Sequence, residues 1–223
     1  MRRLILPLLF GLCGAAVLIG LGVWQLQRLE WKETVLAAMA ARIGGPPIPL
    51  PETPEKTRDN YQTVTLTGRF LPGHLDVMSG QKLVGPGFRV IAPFETEEGR
   101  RVMVDRGFVP DAERKTPRTG AGVTEISGNL LWPDDADSYT PAPNLTENLW
   151  FARDVVTMAK ALNTEPVLIV AFTDTGEGVS PVPVDTMSVP NNHFQYAMTW
   201  FSLALVWLGM TVFWLRRMAL RIN

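Results

Sequence analysis

The sequence predicts a membrane α+β protein in which two transmembrane helices bracket one β-rich domain with a single clear helix. Three observations predict it. Leu4 to Trp24 and Phe194 to Leu215 contain no charged residue, and each is long enough to cross ~30 Å of hydrocarbon, which takes about 20 residues of helix. Between them the chain is polar and broken into short β-prone runs by Gly and Pro. Sixteen of the 21 basic residues and all 22 acidic ones lie in that middle, giving it a net charge of −6.

The first span is placed at residues 4–26. Backbone groups in hydrocarbon must satisfy one another, so an uncharged stretch of this length is a helix. A cleaved signal peptide fits poorly. The apolar run exceeds the ~7–15 residues of a signal's hydrophobic region, and the nearest small-x-small site, Ala38-Met39-Ala40, lies beyond Arg28, Glu30 and Lys32. A retained anchor is expected. Cys13 inside it is the only cysteine, so no intrachain disulfide exists and a packing role is expected.

The second span is placed at 193–215 and is followed by a short basic tail, 216–223. Arg2, Arg3, Arg216, Arg217 and Arg221 flank the far ends of the spans with no acidic residue among them. Lys and Arg near membrane ends mark the cytoplasmic side, so both termini are expected in the cytoplasm and the middle on the opposite side. Arg28 and Lys32 pull mildly the other way.

The middle, 27–192, is expected to form one extracytoplasmic domain. Gln25 to Ala41 lacks Gly and Pro and continues the first helix until Gly44-Gly45-Pro46-Pro47 breaks it. Residues 46–54 hold five prolines and read as an extended linker. Tyr61 to Gly68 alternates Thr with larger residues, as a half-buried strand does. Phe88 to Phe94 and Arg101 to Arg106 are strands joined by a hairpin turn at Glu95 to Gly99. Thr124 to Trp132 is a fourth strand. Residues 133–148 are an acidic loop. Asp154 is the expected N-cap of a helix reaching Leu162, and the β-branched run Pro166 to Thr173 is a central strand. Residues 174–191 lead back to the membrane.

Familiar catalytic signatures are missing. No G-x-G-x-x-G, G-K-[ST] or G-x-S-x-G is present, and His74 and His193, the only histidines, lie far apart. Asp134-Asp135 and Glu97-Glu98 fall in expected turns. A stand-alone enzyme is not expected. A two-helix sensor would need an output domain after the second helix, where only eight residues follow Leu215.

Polar and aromatic residues gather instead at the outer membrane boundary. Trp24, Gln25, Arg28, Trp31 and Lys32 recur at helical spacing on one broad face. Asn191-Asn192-His193 opens the second helix, and Tyr196, Ala197, Trp200 and Ala204 continue the His193 stripe. An aromatic and basic interface belt accounts for the tryptophans, including Trp207. It accounts less well for Gln25 and His193, which need a polar partner at that depth.

The stretch Leu21-Gly22-Val23-Trp24-Gln25-Leu26-Gln27-Arg28-Leu29-Glu30-Trp31-Lys32 resembles the first-helix signature of the Surfeit locus protein 1 family. Later elements follow in order: Gly68-Arg69-Phe70, Gly85 to Val90, Ala92-Pro93-Phe94, Val102 to Pro110, and Asn191 to Phe201. The resemblance covers nearly the whole chain. Asp105 and Phe108 depart from it, standing where the family pattern has Asn and Trp, and the role of the turn they were expected to form stays open.

The resemblance implies cytochrome c oxidase assembly: heme a binding and its insertion into oxidase subunit I, with the cofactor received from heme A synthase and held between the two helices. The implied setting is a bacterial inner membrane with a periplasmic middle domain, since no long basic presequence precedes the first helix. The partners implied are the lipid bilayer, subunit I and the synthase, and no nucleic acid. His193 is then the expected axial ligand of heme iron, Arg28 holds a propionate with help from Lys32, and Tyr196, Trp200, Trp24 and Gln25 line the site. Alternatives stay open. His193 is otherwise an interface histidine bonded to Asn191 or the backbone, Arg28 a lipid-phosphate ligand, and the whole protein a scaffold that steadies an assembly intermediate without touching heme.

Overall fold

A computed structural model describes residues 2–222 except 119–121 and 188. The chain divides into two compact units, residues 1–38 with 186–223, and residues 39–185.

The first unit is a pair of helices, α1 (Arg2–Ile43) and α4 (His193–Ile222). α1 runs past the expected end of the span, as its lack of Gly and Pro after Gly22 requires, and stops where Gly44 donates its N–H to the Ala40 carbonyl. Both helices are long and apolar enough to cross a membrane, and little of either apolar stretch is buried. A core helix of a soluble protein would hide such a surface. Of the basic tail, Asn223 lies outside the described residues.

The second unit is built on β1 (Ile48–Pro49), β2 (Thr63–Phe70), β3 (Leu75–Gln81), β4 (Gly85–Thr96), β5 (Arg101–Pro110), β6 (Thr124–Leu130), β7 (Leu149–Trp150) and β8 (Leu168–Ala171), with a short helix α2 (Lys56–Asp59) and the helix α3 (Val155–Leu162). Five of these strands close into a barrel in the order β2-β6-β8-β5-β4 and back to β2. Neighbours run antiparallel except β5 and β8. Closure depends on β4. A register shift between Arg89 and Ile91 bends it, so its far end pairs with Gly68 to Phe70 of β2 while its near end pairs with β3. A side chain at Gly68 would strike the Glu95 carbonyl across that last seam.

Alternation sorts the core into two layers. Val64, Leu66, Phe94, Val102, Val104, Ile126, Leu130 and Ile169 fill the barrel. Met103 and Leu168, one residue off, point outward and are covered by Val155, Met158 and Ala159 of α3. β5 and β8 are therefore buried on both faces, which is why residues 166–173 read as an uninterrupted apolar run. Asp154 caps α3 as expected: its carboxylate accepts from the Val156 and Thr157 amides at 3.1 and 3.4 Å and from the Thr157 hydroxyl at 2.6 Å.

The structure corrects the sequence reading at several points. The 46–54 linker contributes β1, which pairs in parallel with β2. β3, β7 and α2 were not expected. Asp105 to Phe108 is no turn but the middle of β5. Asp105 is wholly buried and bound by Arg89 at 2.6 Å, with Arg153 at 3.7 Å and the Gly107 amide at 3.1 Å. Arg89 also donates to the Val182 carbonyl, and Phe108 bridges to Ser180. This stretch thus fastens the segment after β8 to the barrel wall.

Candidate functional site

The site candidates all lie in the helix pair. The helices are antiparallel and meet along one seam. On α1 the seam runs through Gly11, Gly14, Ala15, Leu18, Gly22 and Gln25, and on α4 through His193, Ala197, Phe201, Ala204, Trp207 and Thr211. A side-chain carbon added at Gly14 would lie 2.5 Å from the Trp207 ring, one at Gly22 would lie 2.6 Å from Phe201, and one at Gly11 would overlap Thr211. Ala15, Ala197 and Ala204 are buried. Small residues let the two backbones come close, which is how apolar helices associate where water gives no hydrophobic drive. Trp207 Nε1 donates to the Gly11 carbonyl at 2.9 Å, and Phe10 lies tilted at 54° to Trp207 with ring centroids 5.4 Å apart.

Its other end is polar. His193, half-buried, begins α4 and has Nδ1 2.8 Å from Gln25 Oε1. An amide oxygen only accepts, so Nδ1 carries the proton, and in the neutral ring the lone pair rests on Nε2. The two nitrogens sit on separate edges of the ring, so Nε2 is directed away from Gln25. Among the described residues the partner of the His193 ring is Gln25, and Asn191 keeps its buried amide oxygen without a hydrogen bond.

The other expected site residues separate into two groups. Lys32 points its ammonium at the Pro190 carbonyl and holds the lead-in to α4. Arg28 is exposed, with its guanidinium 4.1 Å from the Trp31 ring centroid and no carboxylate partner among the described residues. Trp24 and Tyr196 are 53 and 56% exposed, and Trp200 is half-buried. At about 3.6 residues per turn, Trp24, Arg28 and Trp31 fall to one side of the α1 seam. Tyr196 and Trp200 fall to one side of the α4 seam, and because the helices are antiparallel it is the same side. The histidine, the arginine and the aromatics thus share one flank.

The sequence reading missed the seam itself. Gly11, Ala15 and Gly22 at multiples of about one turn were the available signal. The partner of His193 was present in the boundary cluster but not paired with it, since Gln25 is 168 residues away.

A β-barrel protein flanked by two long apolar helices, with a histidine paired to a glutamine at one end of the helix pair, is the class these features define. Residues 12–205 match the SURF1 family, and the chain belongs to it. A SURF1-like protein of Monosiga brevicollis is 32% identical over 205 residues, covering 83% of this chain and 78% of its own. A SURF1-like protein of Rickettsia felis is 31% identical, covering 83 and 86%. Surfeit locus protein 1 of Rattus norvegicus is 30% identical, covering 83 and 68%.

Proposed function

We propose that this protein is a cytochrome c oxidase assembly factor of a bacterial inner membrane that binds heme a and aids its insertion into oxidase subunit I. The observation that carries the reading is His193, whose Nδ1 lies 2.8 Å from Gln25 Oε1, an acceptor that leaves Nε2 as the nitrogen a metal would take. A histidine that ligates a metal commonly donates its other N–H to a fixed acceptor, which sets the tautomer and the ring orientation. The donor set fits the group in other respects. A permanently charged, carboxylate-free Arg28 stands near the level of His193, suited to a propionate, and aromatic rings share its flank. Bound there, heme a would present an iron with an open coordination position for imidazole.

The chain's own contribution is to bind and orient rather than to react. Gln25 orients the ligand, the small-residue seam fixes the two helices, and Lys32 anchors the segment before α4. No enzymatic step is assigned. Arginines at the outer ends of both spans support cytoplasmic termini, and with them a periplasmic barrel. Heme A synthase as donor and subunit I as acceptor are the partners this role requires.

The test is the absorption spectrum of the protein purified from cells that make heme a. His193→Ala is expected to abolish or shift the heme bands at unchanged protein abundance. Bands of unaltered position and intensity would sink heme ligation by His193 and favour a scaffold that steadies an assembly intermediate. In a deletion strain, assembled oxidase is expected to lack heme a while heme a synthesis continues. Fully loaded but fewer complexes would speak for the scaffold.

A further inference from the structure

We propose that the heme-binding site is a one-sided shelf on the outer flank of the helix pair, not a slot between the helices. The inference rests on the heme reading above and concerns which surface the chain offers. The seam leaves no room for a flat macrocycle. From Gln25 and His193 down to Gly11 and Thr211 it is closed by the 2.8 Å hydrogen bond at one end, by Phe201 against Gly22 and Trp207 against Gly14, and by the Trp207 to Gly11 hydrogen bond. Opening it would break that indole hydrogen bond and strip Ala15, Ala197 and Ala204 of their cover, with nothing gained in exchange.

The flank, by contrast, is already built for an amphipathic ring. Trp24 and Tyr196 are more than half exposed and Trp200 is partly so, giving an aromatic surface that faces outward rather than into the protein. Arg28 stands on the same side, stacked on Trp31 and so held with its donors outward. Nδ1 is engaged by Gln25 in the seam, so on this proposal it is Nε2 that serves a ligand on the flank. At the level of His193 the opposite flank presents Leu26 and Phe194, both exposed and apolar. A ligand on the shelf is covered by protein on one face only. The other face is left to lipid or to a partner, so it can leave sideways without the helices parting.

Two measurements test this on the full-length protein in detergent, with heme a as the probe. In the first, Leu18→Cys and Ala204→Cys in a Cys13→Ser background place a disulfide across the seam, and oxidation locks the helices. Heme loading of the oxidised sample is expected to equal that of the reduced one within twofold. Loss of the bands on oxidation, restored by reduction, would overturn the shelf. The second compares flanks and does not depend on the lock. Tyr196→Ala with Trp200→Ala is expected to weaken heme affinity on the order of tenfold, the scale of two lost aromatic contacts, while Leu26→Ala with Phe194→Ala leaves it unchanged. The reverse ranking, or equal losses, would also overturn it. If His193→Ala keeps its bands, the heme reading itself has failed. If that variant loses them and the flank pairs behave alike, only the shelf has failed.

Discussion

The barrel and the helix pair spend their apolar residues in opposite directions. In the barrel, Val102, Val104 and Ile169 turn inward, Met103 and Leu168 go under α3, and β5 and β8 have no wet face. In the helix pair, alanine and glycine occupy the inside, while Leu6, Phe10, Leu205 and Phe213 face out. Their polar groups differ in kind as well. The barrel buries charge and pairs it, as in Asp105 with Arg89. The helix pair closes its polar end without a carboxylate, through Gln25 to His193 and Lys32 to the Pro190 carbonyl. One chain thus carries two opposite arrangements of apolar side chains, inside the barrel and outside on the helix pair.

The sharpest way to break the comparison is to remove charge from the barrel. Asp105→Ala leaves Arg89 without its carboxylate in a closed site, and a loss of about 3–5 kcal/mol is expected. Urea unfolding of the full-length protein in detergent, followed by Trp150 fluorescence, measures it. A loss under about 1 kcal/mol would mean the pair is merely tolerated. Met158→Ala, at the centre of the α3 layer, is expected to cost roughly 2–5 kcal/mol in the same assay.

The helix pair should answer to size rather than charge. Gly14→Leu drives a side chain into the Trp207 ring and is expected to cost about 1–3 kcal/mol of helix association. The readout is the yield of a disulfide between cysteines placed at positions 18 and 204, which should fall severalfold while the barrel transition stays put. A barrel transition that moves in step would erase the distinction between the units.

The smallest effect belongs to the α3 cap. The hydrogen bond from the Thr157 hydroxyl, aided by the Thr157 and Val156 amides, holds the Asp154 carboxyl below the usual carboxylate range despite partial burial. A depressed carboxyl stabilises the fold above its unfolded value of about 3.9, and the contribution is lost as pH falls through the lower folded value. Asp154→Ala is expected to cost about 1 kcal/mol at neutral pH, with the gap from wild type shrinking in acid. A gap that stays constant down to pH 2 would remove the cap's titration from the account.

What could be read from the sequence follows the same divide. The spans were visible because hydrocarbon excludes charge and leaves a long uniform run. α3 was visible because Asp154 caps it. β3 was not, because Asp76 sits buried as its second residue, between Leu75 and Val77. Burial pushes that carboxyl up, but His74 at 3.4 Å and Arg114 at 3.0 Å outweigh it and hold the group below the usual range. An acidic residue inside an apolar pair hides the strand. Barrel closure through Gly68 and Glu95 joins segments that carry no mark of each other in the sequence. Of the candidate site residues, the sequence grouped Gln25 and His193 at corresponding ends of the two apolar runs, and the structure brings these two together. The geometry of the site was not legible, since the pairing of Gln25 with His193 and the closing of the seam depend on how two distant helices meet.

The position of β8 bears on how the protein is made. This strand is inserted between β5 and β6, yet it is the last of the eight strands in chain order, so the ring stays open until residue 171 has been synthesised. Until then β5 and β6 each expose an unpaired edge of the kind that invites aggregation. Only the connecting segment 172–192 separates that strand from α4, whose own arrival completes the anchor. Ring closure therefore waits for the last strand, and a nascent chain stalled before β8 is the form that exposes most unpaired edge.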